Sequence, residues 1–134
     1  MKRNRVLTAA LILFCFSHSS PASCNKAIVF YLPINIEEYV PGGFSNSNIK
    51  SVAAEKWAIT EPSRIQRLLN ILNAGKSHSY EDGSTRAQIE CGDETFYLNK
   101  EGDVQSNGRS IRISIKKFLQ FRDSLRPDEL LKSD

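Results

Sequence analysis

The chain has 134 residues, with 18 Lys+Arg against 15 Asp+Glu, two histidines and three cysteines. That length accommodates one domain around a single modest core. Lys2, Arg3 and Arg5 all fall in the first five residues, and from residue 23 onward bases and acids are equal in number. The basic overall balance therefore gives no ground for a nucleic-acid partner.

The first element is a leader. MKRNR is cationic, Val6 to Phe16 is apolar apart from Thr8, and Ser17 to Pro21 turns polar before Ala22. This is the three-part layout of a secretory signal peptide, with an apolar stretch too short for a permanent anchor. Ser20 and Ala22 satisfy the small-x-small rule, so the expected cut follows Ala22. Residues 1–22 are then the signal peptide, and 23–134 form a single compact domain exported to the periplasm. No comparably apolar run follows, so no transmembrane segment is expected.

Cutting there removes Cys15 and His18. Cys24 and Cys91 remain, and two cysteines in an exported chain read most simply as one disulfide. Acylation of Cys24 as a lipoprotein anchor is the competing reading, since Ala22-Ser23-Cys24 fits that signal at two positions while Pro21 does not.

Ala27 to Leu32 is a continuous apolar run, read as a buried strand stopped by Pro33. Ile34 to Val40 alternates and extends it as an edge segment, and PGGFSNSN (41–48) reads as a loop. Lys56 to Thr60 is a short strand candidate. Thr60 is the expected cap of a helix in which Ile65, Leu68, Leu69 and Leu72 form one apolar stripe, ended by Asn73-Ala74-Gly75. After the loop GKSHSYEDGS, Thr85–Cys91 places Ala87, Ile89 and Cys91 on one face and Arg86, Gln88 and Glu90 on the other. Gly92-Asp93 turns into Glu94–Asn99, and Lys100–Asp103 turns into a short strand at Val104. Asn107-Gly108 is a hairpin signal leading to Ser110–Ile115. Ser114 caps a closing helix with Phe118, Leu119, Phe121 and Leu125, stopped by Pro127, and the tail from about residue 128 is expected to fray. The order implies an α+β fold, an antiparallel sheet of about four to six strands with two helices packed on one face.

The residues offer little catalytic chemistry. His78 is the only imidazole after the cut, no ligand pair has metal-site spacing, and no cofactor motif is present. Ser77-His78-Ser79-Tyr80-Glu81-Asp82 holds the residue types of a triad in no catalytic order, so His78 reads as solvated. Glu37 with Glu38, and Asp93 with Glu94, are the carboxylate pairs from which a small hydrolase would have to be built. Charge, however, is segregated. Residues 81–103 concentrate Glu81, Asp82, Glu90, Asp93, Glu94, Glu101 and Asp103, whereas 104–127 concentrate Arg109, Arg112, Lys116, Lys117, Arg122 and Arg126. Such charges either pair across a solvated face or form a surface that steers a protein partner. Asp93, Glu94, Glu101, Asp103, Arg109 and Arg112 are the candidate partner-binding residues.

The phrases YLPINIEEYVP, AITEPSRIQRLLNIL, ETFYLNKEGDV and ISIKKFLQF, in that order, span most of the mature chain. Their organisation resembles small exported proteins of Gram-negative bacteria of the periplasmic immunity type, which block toxins delivered by contact-dependent routes such as type VI secretion. The resemblance implies a non-enzymatic protein that binds and blocks a cell-envelope-targeting toxin enzyme. An envelope binding or assembly module is the alternative, and a carboxylate-based hydrolase a third.

Overall fold

The computed structural model describes residues 24–34 and 43–131. The leader 1–22, Pro41-Gly42 and all but the first residue of the Ile34–Val40 segment lie outside them. In chain order the elements are β1 (Ala27–Tyr31), α1 (Ile49–Val52), β2 (Glu55–Ile59), α2 (Pro62–Asn73), β3 (Lys76–Ser77), β4 (Thr85–Cys91), β5 (Glu94–Asn99), β6 (Asp103–Ser106), β7 (Arg109–Arg112), α3 (Ile115–Asp123) and β8 (Leu130–Leu131). The strands form one antiparallel sheet in the order β3-β7-β6-β5-β4-β1-β2-β8. The fold is therefore α+β, with more strands than the sequence reading allowed.

Period-two alternation builds the main core. Val29 pairs with Trp57 on one side and Ile89 on the other, Ile89 with Phe96, and Leu98 with Val104. These side chains are all buried, as are Ile65, Leu68 and Leu72 of α2 and Phe118 and Phe121 of α3. The α2 stripe and the closing helix thus pack on the sheet face that also receives Ile111 and Ile113. Leu69, read as part of that stripe, is only partly buried. Trp57 anchors the layer junction, with its ring 5.3 Å from Tyr31, 5.7 Å from Phe118 and 6.4 Å from Phe121. Its indole N–H donates to Glu55 Oε1 at 3.0 Å, which satisfies the one polar atom such a buried ring carries.

Several local expectations change. Proline restricts the residue before it to extended backbone. Glu61 (φ −75°, ψ 124°) accordingly takes the cap position ahead of Pro62, and Thr60 does not. Ser114 does cap α3, its Oγ accepting from Lys117 N at 3.3 Å. That helix ends at Asp123, short of Leu125, because the Ser124 hydroxyl and backbone N–H turn back to Phe121 O. The Asn107-Gly108 hairpin forms as expected, with both residues at positive φ (49° and 75°).

Three elements were not foreseen. α1 lies within a Ser- and Asn-rich stretch and packs on the opposite sheet face. There Leu32, Phe44 and Ile49 make a second, small core with Val52 and Tyr97 against it. α1 and its loop cover what the sequence offered as a solvated row, and Arg86 and Gln88 are buried. β3 and β8 have two residues each, too short for any periodicity to show. β3 forms because α2 ends directly against β7. A Cβ on Gly75 would stand 2.0 Å from Arg112 O, so glycine is required there. β8 replaces the expected frayed tail. The chain from Asp128 pairs with β2 and buries Glu129, which receives Arg64 at 2.7 and 2.8 Å.

Candidate functional site

Cys24 and Cys91 stand as a disulfide pair, with Cα atoms 5.3 Å apart across a sequence separation of 67. The pair ties the start of the described chain to β4, near the middle of the sheet.

The six candidate partner-binding residues do not make one surface. Glu94 and Arg109 each stand two residues from a core position, Phe96 and Ile111, so they share the helix-bearing face at the hairpin end. There Glu94 Oε2 accepts from Ser106 Oγ (2.9 Å) and Asn107 Nδ2 (3.2 Å), and Arg109 donates to Asn73 Oδ1 (2.6 Å). Asp93 is exposed in the adjoining β4–β5 turn. Glu101 lies at the other end of β5, exposed in a shallow acidic depression with Glu81, Asp82 and Lys100. Arg112 projects from the face opposite the helices and engages Asp103, which is only 2% exposed. Asp103 is an internal anchor rather than a contact residue.

Around Asp103 the register assembles a network that its residues do not announce in sequence. β7 pairs with β6 and β3 at once, setting Asp103 and Lys76 on either side of Arg112. Arg112 reaches Asp103 through Nε (2.8 Å) and a second guanidinium nitrogen (3.2 Å), and Asn99 Nδ2 donates at 3.2 Å. Burial pushes the Asp103 carboxyl up, but the hydrogen bonds from Arg112 and Asn99 and the neighbouring positive charge outweigh it and hold the group below its ordinary value. His78 Nδ1 lies 3.0 Å from both Asp103 Oδ1 and Ser79 O. Both are acceptors, so Nδ1 carries the proton. His78 stays exposed, as the sequence suggested, while also pairing with Asp103. The orientation resembles a catalytic His–Asp pair, but the carboxylate is already engaged by the Arg112 guanidinium.

The neighbouring hydroxyls are engaged in folding the 78–84 segment onto the sheet. Tyr80 Oη, Thr85 Oγ1 and Asn46 Oδ1 lie within 2.9 Å of one another, the two hydroxyls sharing their two protons among the three contacts, while Asn46 Nδ2 donates to Gln105 Oε1 at 3.0 Å. Burial raises the Tyr80 phenol well above its usual range, so it stays protonated. Among the described residues no group of three or more His, Cys, Asp or Glu side chains is placed to hold a metal ion. No helix there is long and apolar enough to cross a membrane.

A further concave feature lies elsewhere, between α2 and α3. This open groove of about 510 Å³ is lined by Ser63, Gln66, Arg67, Asn70, Ile71, Ala74, Ser114, Lys117 and Gln120. That size falls within the range of ligand sites. The sequence reading missed it because α2 was judged by its apolar stripe alone. Arg67 lies outside the basic stretch 104–127, and its place along one groove with Lys117 depends on how the two helices pack. A second feature is the outer edge of the sheet. Leu130 and Leu131 are 44% and 36% exposed on β8, beside Ala54, Leu125 and Pro127.

No family model, curated protein or solved structure matches the chain.

Proposed function

We propose that this chain is an exported, non-enzymatic binding domain of the periplasmic immunity type, which blocks a cell-envelope-targeting toxin by covering it. The observation that carries this reading is the outer surface of the helix layer. α2 and α3 present arginine, lysine and amide side chains around an open groove, on a platform tied by the Cys24–Cys91 pair. Inhibition by occlusion needs a rigid complementary surface and no proton shuttle, and pre-organised inhibitors lose little freedom on binding. The leader and the organisation of the chain supply the compartment and the class of partner.

The test is capture followed by function. Full-length protein exported by the host, tagged at its C-terminus, is used to isolate partners from envelope extract, and a captured hydrolase is assayed on its cell-wall or lipid substrate with increasing amounts of the purified chain. Stoichiometric loss of hydrolase activity is expected. Capture of an enzyme that keeps full activity when saturated sinks the inhibitor reading. The second reading, an envelope assembly module, is favoured by β8, because exposed leucines on an open sheet edge suit strand addition. Under that reading Leu130→Lys abolishes capture, whereas under the inhibitor reading it does not.

A further inference from the structure

The charge of the α2–α3 groove selects among possible occupants. α2 carries Arg64 and Arg67 and no acid, and α3 carries Lys116, Lys117 and Arg122 against Asp123. The fold engages Arg64 with Glu129 and Arg122 with Glu55. Two cations are left lining the groove. Arg67 rests its guanidinium 5.6 Å above the Phe121 ring, and Lys117 has no acidic partner among the described residues. No Asp or Glu lines the groove. Glu61, at the start of α2, is turned to Ser63 and Arg126. The mature chain balances its charges overall, so this local excess comes with acids gathered elsewhere, in the depression of Glu81, Asp82 and Glu101.

Concave surface with uncompensated cations concentrates the opposite charge and repels its own sign. Gln66 Nε2 donates to Asn70 Oδ1 at 2.9 Å, and the amide capacity that pair leaves, with Gln120, can both donate to and accept from an extended backbone. Ile71 and Ala74 supply a narrow apolar strip for a short side chain. We infer that this groove receives an acidic, extended segment of the partner protein, with a side-chain carboxylate held by Arg67 and Lys117. The inference rests on the binding-domain reading for the nature of the partner, and its own content is the location and charge of the contact.

The experiment uses the full mature protein and a fluorescein-labelled octaglutamate peptide, read by anisotropy at low and physiological salt, with octalysine and a Gly-Ser peptide as comparisons. Arg67→Glu with Lys117→Glu is set against Lys26→Glu with Lys76→Glu, which changes the net charge equally at exposed positions outside the groove. Octaglutamate is expected to bind, and the groove pair to weaken it roughly tenfold while the distant pair changes it by about twofold or less. Arg67→Gln with Lys117→Gln, which removes charge without adding any, is expected to give the same ranking, and unchanged melting temperatures show that all variants fold. Equal losses in both reversed pairs overturn the assignment, as does tighter binding of inorganic polyphosphate than of octaglutamate. A dimer in sedimentation that the groove variant abolishes also overturns it, since the occupant would then be a second copy.

Two outcomes distinguish the groove contact from inhibition. If a captured hydrolase is inhibited equally by the native chain and by the Arg67→Glu, Lys117→Glu chain, the groove assignment falls and the inhibitor reading stands. If octaglutamate binding depends on the groove while no captured enzyme is inhibited, the groove stands and the inhibitor reading falls.

Discussion

The two faces of the sheet are closed by different physics. Under α2 and α3 the contacts are apolar and aromatic, centred on Trp57, Phe96 and Phe118, each fully buried. On the other face a small cluster of Leu32, Phe44 and Ile49 adjoins a polar knot of Asn46, Tyr80, Thr85 and Gln105, with the Asp103–Arg112–His78 network beyond it. Apolar burial is non-directional and large per residue, of order 2 kcal/mol for each large side chain. A hydrogen-bonded knot contributes about 1 kcal/mol per bond net, but it demands one geometry. The helix face therefore carries most of the stability, and the polar face fixes how the 43–48 and 78–84 segments lie.

The disulfide gives the largest expected change. Cys24→Ala with Cys91→Ala removes a link across a separation of 67 residues and is expected to lower stability by about 4 kcal/mol, read by urea denaturation. An unmoved midpoint would mean that the pair is not formed in the native protein. Leu68→Ala, at a fully buried position on the helix face, is expected to cost about 3 kcal/mol, whereas Leu69→Ala, partly buried, costs about 1 kcal/mol. Equal costs would show that the helix packs in a different rotation.

On the polar face, Thr85→Val keeps the shape and removes the hydroxyl shared by Tyr80 and Asn46, at an expected cost of about 1–2 kcal/mol. Hydrogen exchange should rise in residues 78–84 more than in α2. A uniform rise would show that the two faces unfold as one unit.

Acid should act on the same face. The Asp103 carboxyl is held below its ordinary value, so it stabilises the fold above its unfolded value, and that contribution is lost as pH falls through the folded one. Arg112→Gln removes the principal hydrogen-bond donor and leaves burial to push Asp103 up, so acid unfolding should begin at higher pH than in the native chain. An unchanged acid limb would show that Arg112 contributes nothing there. His78→Ala is expected to be nearly silent, within about 0.5 kcal/mol in stability and without effect on partner binding. Loss of function in that variant alone would make the His78–Asp103 pair a working site.

Much of the helix face was legible in the residues. The alternation of Ala87, Ile89 and Cys91, the Ile65–Leu68–Leu72 stripe, the Ser114 cap and the Asn107-Gly108 turn each report a local preference that the fold keeps. The same reading of β4 faltered at Arg86. A register shift between Thr85 and Ala87, together with the cover of Phe44, buries a residue that alternation alone assigns to solvent. The candidate site was less legible. Grouping Asp93, Glu94, Glu101, Asp103, Arg109 and Arg112 by sequence proximity overlooked that neighbours in a meander fall at opposite ends and on opposite faces of a sheet.

What the sequence by itself determined is the class of fold and the core of the helix-bearing face, whereas it offered the Cys24–Cys91 pair beside acylation of Cys24. Fold class and core follow from periodicity and composition, and each is read within a few turns or a single strand. The tertiary structure alone decided the two-residue edges β3 and β8, the cover provided by α1, the pairing of His78 with Asp103 and the placing of Arg67 and Lys117 along one groove. Each of these depends on strand register or on helix packing between distant segments, and neither leaves a local signature. Two residues in a strand have no period to detect, and a cation's partner is chosen by where the backbone brings it rather than by its neighbours in the chain.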